Sequence, residues 1–156
     1  MDNPVDVIRR LRAQAFAIGP ADLELAPTPS RPRVWGAIME LGYPTGIATL
    51  LSLAEGTTSL YFSNGGGIVG AGEHANVRDA AEVFLDVMEA HLAELSPVEE
   101  TPTPRIGRVR FYARTFEWTL GAEATEDQLG QKLHPLSPVF FAGHTVIAAI
   151  RESSGS

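Results

Sequence analysis

Residues 34–63 read VWGAIMELGYPTGIATLLSLAEGTTSLYFS, and the organisation of the chain turns on them. Three apolar runs are separated by two short connections, Tyr43-Pro44-Thr45-Gly46 and Glu55-Gly56. Each connection holds a glycine and is too short for the crossover that parallel strands need, so the runs pair as antiparallel hairpins. The pattern predicts strands over Val34–Gly42, Ile47–Leu53 and Thr58–Ser63. In the last, Leu60 and Phe62 point one way and Tyr61 the other.

Working outward from this meander, proline marks the connections. Nine of the eleven prolines fall in three clusters, Pro20/27/29/32, Pro97/102/104 and Pro135/138. Proline breaks helices and cannot donate into a central sheet. Before the first cluster, Asn3–Ile18 reads as a helix with Asn3 as N-cap and Pro4 at the first position. Ile8, Leu11, Ala15 and Ile18 recur at helical spacing, and Gly19-Pro20 ends the run. An extended linker leads to Arg33.

Downstream, Asn76–Leu95 carries the strongest helical pattern. Val77, Ala81, Phe84, Met88, Leu92 and Leu95 share one face, and Asp79, Glu82, Asp86 and Glu89 lie almost opposite. Asn76 with Asp79 resembles a capping box, and Val83 and Val87 widen the apolar stripe toward a second neighbour. Arg108–Trp118 alternates as a strand, with Val109, Phe111 and Ala113 facing away from Arg108, Arg110, Tyr112 and Arg114. Thr125–Gln128 is a capping-box pattern that opens a short helix to Leu133. Ser137-Pro138 then starts a final helix to Arg151, apolar nearly all round. Its β-branched content leaves a strand over Thr145–Ile150 as the competing reading.

The expected result is one α+β domain over residues 1–152, with a disordered tail at 153–156. Its antiparallel sheet holds four to six strands in a two- or three-layer sandwich. The order of helix, meander, long helix, strand and closing helix resembles the layout of profilin-like and roadblock-type modules. A third strand before the long helix departs from the roadblock order.

Composition narrows the function. The chain has 156 residues, no cysteine and a formal charge of −7. Disulfides, cysteine-ligated zinc and thiol nucleophiles are thereby excluded. The charge is local: residues 73–100 hold eight acids against one arginine, and the remaining eleven acids and eleven bases cancel. Such a balance argues against a general nucleic-acid binder. No secretory leader pattern is present, and the longest apolar run, Pro138–Ile150, is too short to span a bilayer, so a cytoplasmic setting is expected.

One segment draws attention chemically: Ser63-Asn64-Gly65-Gly66-Gly67-Ile68-Val69-Gly70-Ala71-Gly72-Glu73-His74. Gly65, Gly67 and Gly70 match G-x-G-x-x-G in spacing only, because the preceding strand belongs to a meander and the helix starts too late for a dinucleotide fold. Two readings stand. In one, Asn64-Gly65 is a tight turn and the glycines form a thin strand that another element approaches closely. In the other, glycine amides with Ser63, Asn64, Gly65, Gly66, Gly67, Glu73 and His74 cradle a small molecule or anion.

His74, His91, His134 and His144 lack metal-ligand spacing, and neither G-x-S-x-G nor a P-loop occurs. No catalytic group, metal or cofactor is assigned on this pattern. The expectation is a non-enzymatic interaction or regulatory module that self-associates, with a ligand-binding protein as the alternative. The expected interface residues are Val83, Val87, Arg108, Arg110, Arg114, Phe140 and Phe141. The arginines can also grip phosphate, guard the strand, or pair with the acidic helix.

Overall fold

The computed structural model describes residues 3–68 and 70–154; Met1, Asp2, Val69, Gly155 and Ser156 lie outside the described residues. Helix α1 spans Pro4–Ala17. It begins as its sequence dictates, with the Asn3 side chain accepting the Val5 amide at 2.8 Å and Pro4 in the first turn. The meander follows as β1 (Val34–Tyr43), β2 (Gly46–Leu53) and β3 (Thr58–Phe62), each antiparallel to the one before. After the glycine turn, β4 (Gly67–Ile68) folds back along β3, which is the hairpin reading of that segment.

Helix α2 spans Ala75–Ala90, and the chain then supplies β5 (Ser96–Pro97), β6 (Arg108–Thr115) and β7 (Thr119–Thr125). Two helices close the fold, α3 (Glu126–Gly130) and α4 (Ser137–Ser154). The strands form one antiparallel sheet in the order β4-β3-β2-β1-β6-β7-β5. Its two outermost strands are only two residues long. This is the expected α+β architecture, in three layers.

Strand β1 is central, and Val34–Gly42 is buried without interruption because both faces of the sheet are covered. On one face, Ala37, Met39 and Leu41 meet α2 and α4 through Phe84, Met88, Phe140 and Val146. Burying each large side chain of this kind stabilises by roughly 1.5–3 kcal/mol. Helix α4 comes so close at Gly143 that a Cβ there would stand 2.6 Å from the Met39 Cε. On the other face, Ile38, Leu51, Leu53 and Tyr112 lie beneath α1, with Ala15, Phe16 and Ile18. A register shift between Val34 and Gly36 turns Trp35 to this second face.

Several expectations change. Helix α2 is capped by His74 without a side-chain bond and ends at Ala90, passing into a 3-10 turn at Leu92–Glu94. Asn76 is therefore not a cap. It lies inside α2 and ties it to α4, donating to the Ala149 carbonyl at 3.3 Å and accepting from Ser153 Oγ at 3.0 Å. The strand expected through Trp118 stops at Thr115, where Thr115 and Trp118 close a tight turn into β7. Segment 138–151 is helix, not strand, and α4 continues through Ser153 and Ser154, which were expected to be tail. Among the described residues, no helix is long and apolar enough to cross a membrane.

Glu89 locks α2 onto the start of β1. Its carboxylate accepts the Arg33 and Val34 amides at 2.8 and 3.0 Å and the Arg33 Nε at 2.8 Å. Burial alone would push this carboxyl up, but the two amides and the guanidinium outweigh it and hold it below the ordinary 4.5. Its contribution is complete above that pH and drains away as pH falls toward the depressed value. Glu89→Gln is expected to cost about 2 kcal/mol at pH 7. Urea denaturation at pH 7 and pH 4 should show a smaller loss on acidification for the variant than for the natural protein.

Candidate functional site

The site begins with one charged residue in an apolar strand. Glu40 is the only charged residue between Val34 and Leu53, and it is 0% exposed. Alternation along β1 turns it, like Ile38, toward α1. The register then aligns it with polar residues of other strands. Glu40 stands opposite Thr49 on β2 and Arg110 on β6; Thr49 stands opposite Tyr61 on β3, and Arg110 opposite Glu123 on β7. One transverse row of five strands is thus polar, running Glu123, Arg110, Glu40, Thr49, Tyr61.

Helix α1 lies across this row and delivers Arg12. The guanidinium forks onto the carboxylate, Nε to Oε2 and Nη2 to Oε1, both at 2.7 Å, and Nη2 also donates to the Thr101 carbonyl at 2.7 Å. Thr49 Oγ1 donates to Glu40 Oε2 at 2.6 Å. A buried carboxylate persists only when charge and lone pairs are both satisfied, and this geometry does so. Tyr61 closes the row. It is 2% exposed, and its hydroxyl has no hydrogen-bond partner among the described residues. Burial pushes the phenol up to about 12, with Glu40 adding to the rise, so the group is a proton-bearing donor.

Beside this row, between α1 and strands β2 and β3, is a cleft of about 170 Å³. Arg9, Arg12, Thr49, Tyr61 and Ser63 line it, with Val5, Ile8 and Ile47 as apolar wall. Ser63 is the one candidate ligand of the glycine segment that lines it. Ser63 Oγ accepts the Ile47 amide at 2.8 Å. The Asn64 side chain turns inward on the Gly66 amide at 3.3 Å. Gly65, at φ +105°, passes so near α1 that a Cβ would stand 2.9 Å from Pro4 Cβ, and Gly67 packs on Tyr61. Glu73 and His74 are exposed at the far end of the segment, 3.9 Å apart, and neither lines this cleft. The glycines here serve close approach of backbone to α1 and β3.

The arginines of β6 divide. Arg114 donates to the Ala15 and Ile18 carbonyls at 2.7 and 2.8 Å, finishing the C-terminus of α1, and lies 4.7 Å over the Trp35 ring. Arg110 bonds Glu123 at 3.2 Å, and Arg108 is exposed. The acidic face of α2 takes its partners from the linker instead, where Arg31 pairs with Glu82 and Asp86, and Arg33 with Glu89. Of the remaining interface candidates, Val83 and Phe141 are exposed, Val87 is half-buried and Phe140 is in the core.

The histidines are dispersed. His91 Nδ1 lies 2.7 Å from the Val87 carbonyl, and His134 Nδ1 accepts the Leu136 amide. His144 packs edge-on against Phe140, and burial pushes it down. Among the described residues, no three acidic or histidine side chains converge on a metal position.

The row escaped sequence reading because positions 40, 49 and 61 meet only through strand register, and position 12 joins them only once α1 lies across the sheet. The one local signal was a lone glutamate inside an apolar strand.

Arg12→Met leaves Glu40 buried and unpaired, with an expected loss of about 3–5 kcal/mol in chemical denaturation. Adding Glu40→Leu should recover most of it, because the uncompensated charge disappears. Comparison with protein-family models, curated proteins and solved structures finds no match to this chain.

Proposed function

We propose that this chain is a non-enzymatic interaction module that self-associates through the outer face of α4. The observation that carries the reading is the composition of that face. Pro138, Phe141, Thr145 and Ala148 are its exposed positions, spaced three and four apart, and no charge appears until Arg151 and Glu152. Exposed helix stripes of monomers are ordinarily charged. Phe141 is 39% exposed, and Val83 of the adjacent α2 is 54% exposed. Val83 belongs to the flank of α2 that Asn76 ties to α4.

A second copy is the partner that suits this patch. An isologous contact requires a surface complementary to itself. Two α4 helices packed antiparallel about an axis near Thr145 set the large Phe141 of one copy against the small Ala148 of the other. Their dipoles then oppose, and the Lys132 end of one lies beside the Glu152 end of the other. The polar groups singled out from sequence also support a binding role over catalysis. Arg110, Arg114 and His91 are each bonded within the fold. The expected cytoplasmic setting belongs to the same reading.

Sedimentation equilibrium between 5 and 300 µM should show a dimer. Phe141→Glu should raise its dissociation constant about thirtyfold or more, the scale of a central interface residue, while leaving far-ultraviolet circular dichroism unchanged. A wild-type chain that stays monomeric across the range would overturn the reading.

A further inference from the structure

Trp118 is the largest apolar side chain that the described residues leave in water, 61% exposed at the turn between β6 and β7. The turn holds it there, because the Thr115 hydroxyl accepts the Trp118 amide at 2.9 Å and donates to the Trp118 carbonyl at 2.6 Å. Among the described residues no arginine or lysine lies over its indole; the cation–ring contacts fall on Phe16, Trp35 and Phe141. Beside it is a cleft of about 230 Å³. Phe116 and Trp118 line it with Leu92, Leu120 and Pro32, so its wall is aromatic and aliphatic. No residue of α4 lines it, so it does not depend on the self-association reading.

Charge selects the occupant. Two charged side chains line the cleft, Arg33 and Glu117. Arg33 is ion-paired: its Nε lies 2.8 Å from Glu89 Oε2, and that carboxylate offsets its charge. Glu117 is exposed and, among the described residues, has no ion pair. The cleft is thus left with one unanswered negative charge next to two aromatic rings. Ring faces attract cations, tryptophan most strongly. The lining offers few hydrogen bonds besides Glu117, since the Thr115 hydroxyl is already engaged as donor and acceptor. A primary ammonium would give up its hydrogen bonds to water for that one carboxylate. A fully methylated ammonium has none to give up and presents methyl groups to the aliphatic wall. The space is also below the roughly 300–1,000 Å³ that drug-sized ligands occupy, so the occupant has only a handful of heavy atoms.

We infer that this cleft binds a small quaternary ammonium compound of choline size. The methylated nitrogen lies against the Trp118 and Phe116 rings, Glu117 supplies the opposing charge, and Leu92, Leu120 and Pro32 receive the methyl groups.

The test is a nuclear magnetic resonance titration of the full chain at pH 7 and matched ionic strength. Choline and tetramethylammonium should shift the Trp118 indole N–H and the amides of residues 33, 92 and 115–120. The alcohol 3,3-dimethyl-1-butanol has the shape of choline without its charge and should bind about tenfold more weakly. Phosphocholine, which brings a phosphate beside Glu117, should also bind more weakly than choline. Trp118→Leu keeps an apolar wall but removes the ring, and should weaken choline about tenfold. Glu117→Gln, an exposed change, should weaken it about threefold with far-ultraviolet circular dichroism unchanged. An unmoved Trp118 indole, equal binding of the neutral alcohol, tighter binding of phosphocholine, or choline affinity unchanged by both substitutions would overturn the assignment.

Discussion

A carboxylate at the centre of a sheet has to be answered by a cation, and in this chain much of the α1 layer follows from that requirement. Glu40 sits on the central strand with no access to water. Arg12 can reach it in a bidentate fork only if α1 crosses the sheet above β1 and β2. The same guanidinium holds the Thr101 carbonyl, and Tyr112 holds the neighbouring Pro102 carbonyl at 2.6 Å, so the connection from β5 to β6 is drawn in beside the helix. Arg114 then fixes the other end of α1 by its carbonyls. Helix position, loop path and cleft shape are consequences of one buried pair and the groups around it.

The two faces of the sheet are held by different physics. On the α2 and α4 side, Met39, Phe84, Met88 and Phe111 interlock, and Gly143 lets the helix come close. On the α1 side only Ala15 of the helix is fully buried, and the attachment depends on charged and carbonyl groups. Close packing is unforgiving of gaps, whereas polar clips fix a helix at points and leave space between them. Clefts of about 170 and 200 Å³ border α1 accordingly, and Tyr61 lines both.

Much of this architecture was legible in the sequence because it rests on local pattern. The Asn3-Pro4 start of α1, the apolar stripe of α2 and the alternation of Val109, Phe111 and Ala113 are all periodicities or caps, and they appear as read. The turn between β6 and β7 was not legible, since Phe116-Glu117-Trp118 has no glycine, proline or asparagine and is closed by the Thr115 hydroxyl. Asn76 looked like a cap because its value as a tie to Ala149 exists only once α4 is in place. The candidate site was the least legible part. The glycine segment contributed Ser63 to it, while Arg12, Glu40, Thr49 and Tyr61 are joined by register and by a helix that returns over the sheet.

Charge shows the same division between what composition carries and what geometry adds. The acidic balance resides in residues 73–100, and complementary arginines were visible on β6. Yet the arginines that meet α2 come from the linker, where Arg31 and Arg33 reach Glu82, Asp86 and Glu89. They do so because the linker must cross the edge of α2 to enter β1, whose first amides are themselves held by Glu89. Meanwhile β6 faces α1, so Arg114 meets helix carbonyls in place of carboxylates. Opposite charges on two elements therefore imply a contact only when the topology places those elements on the same side of the sheet. Here the sheet itself separates them, because alternation along β6 turns Val109, Phe111 and Ala113 toward α2 and α4 and the arginines to the face that carries the polar row.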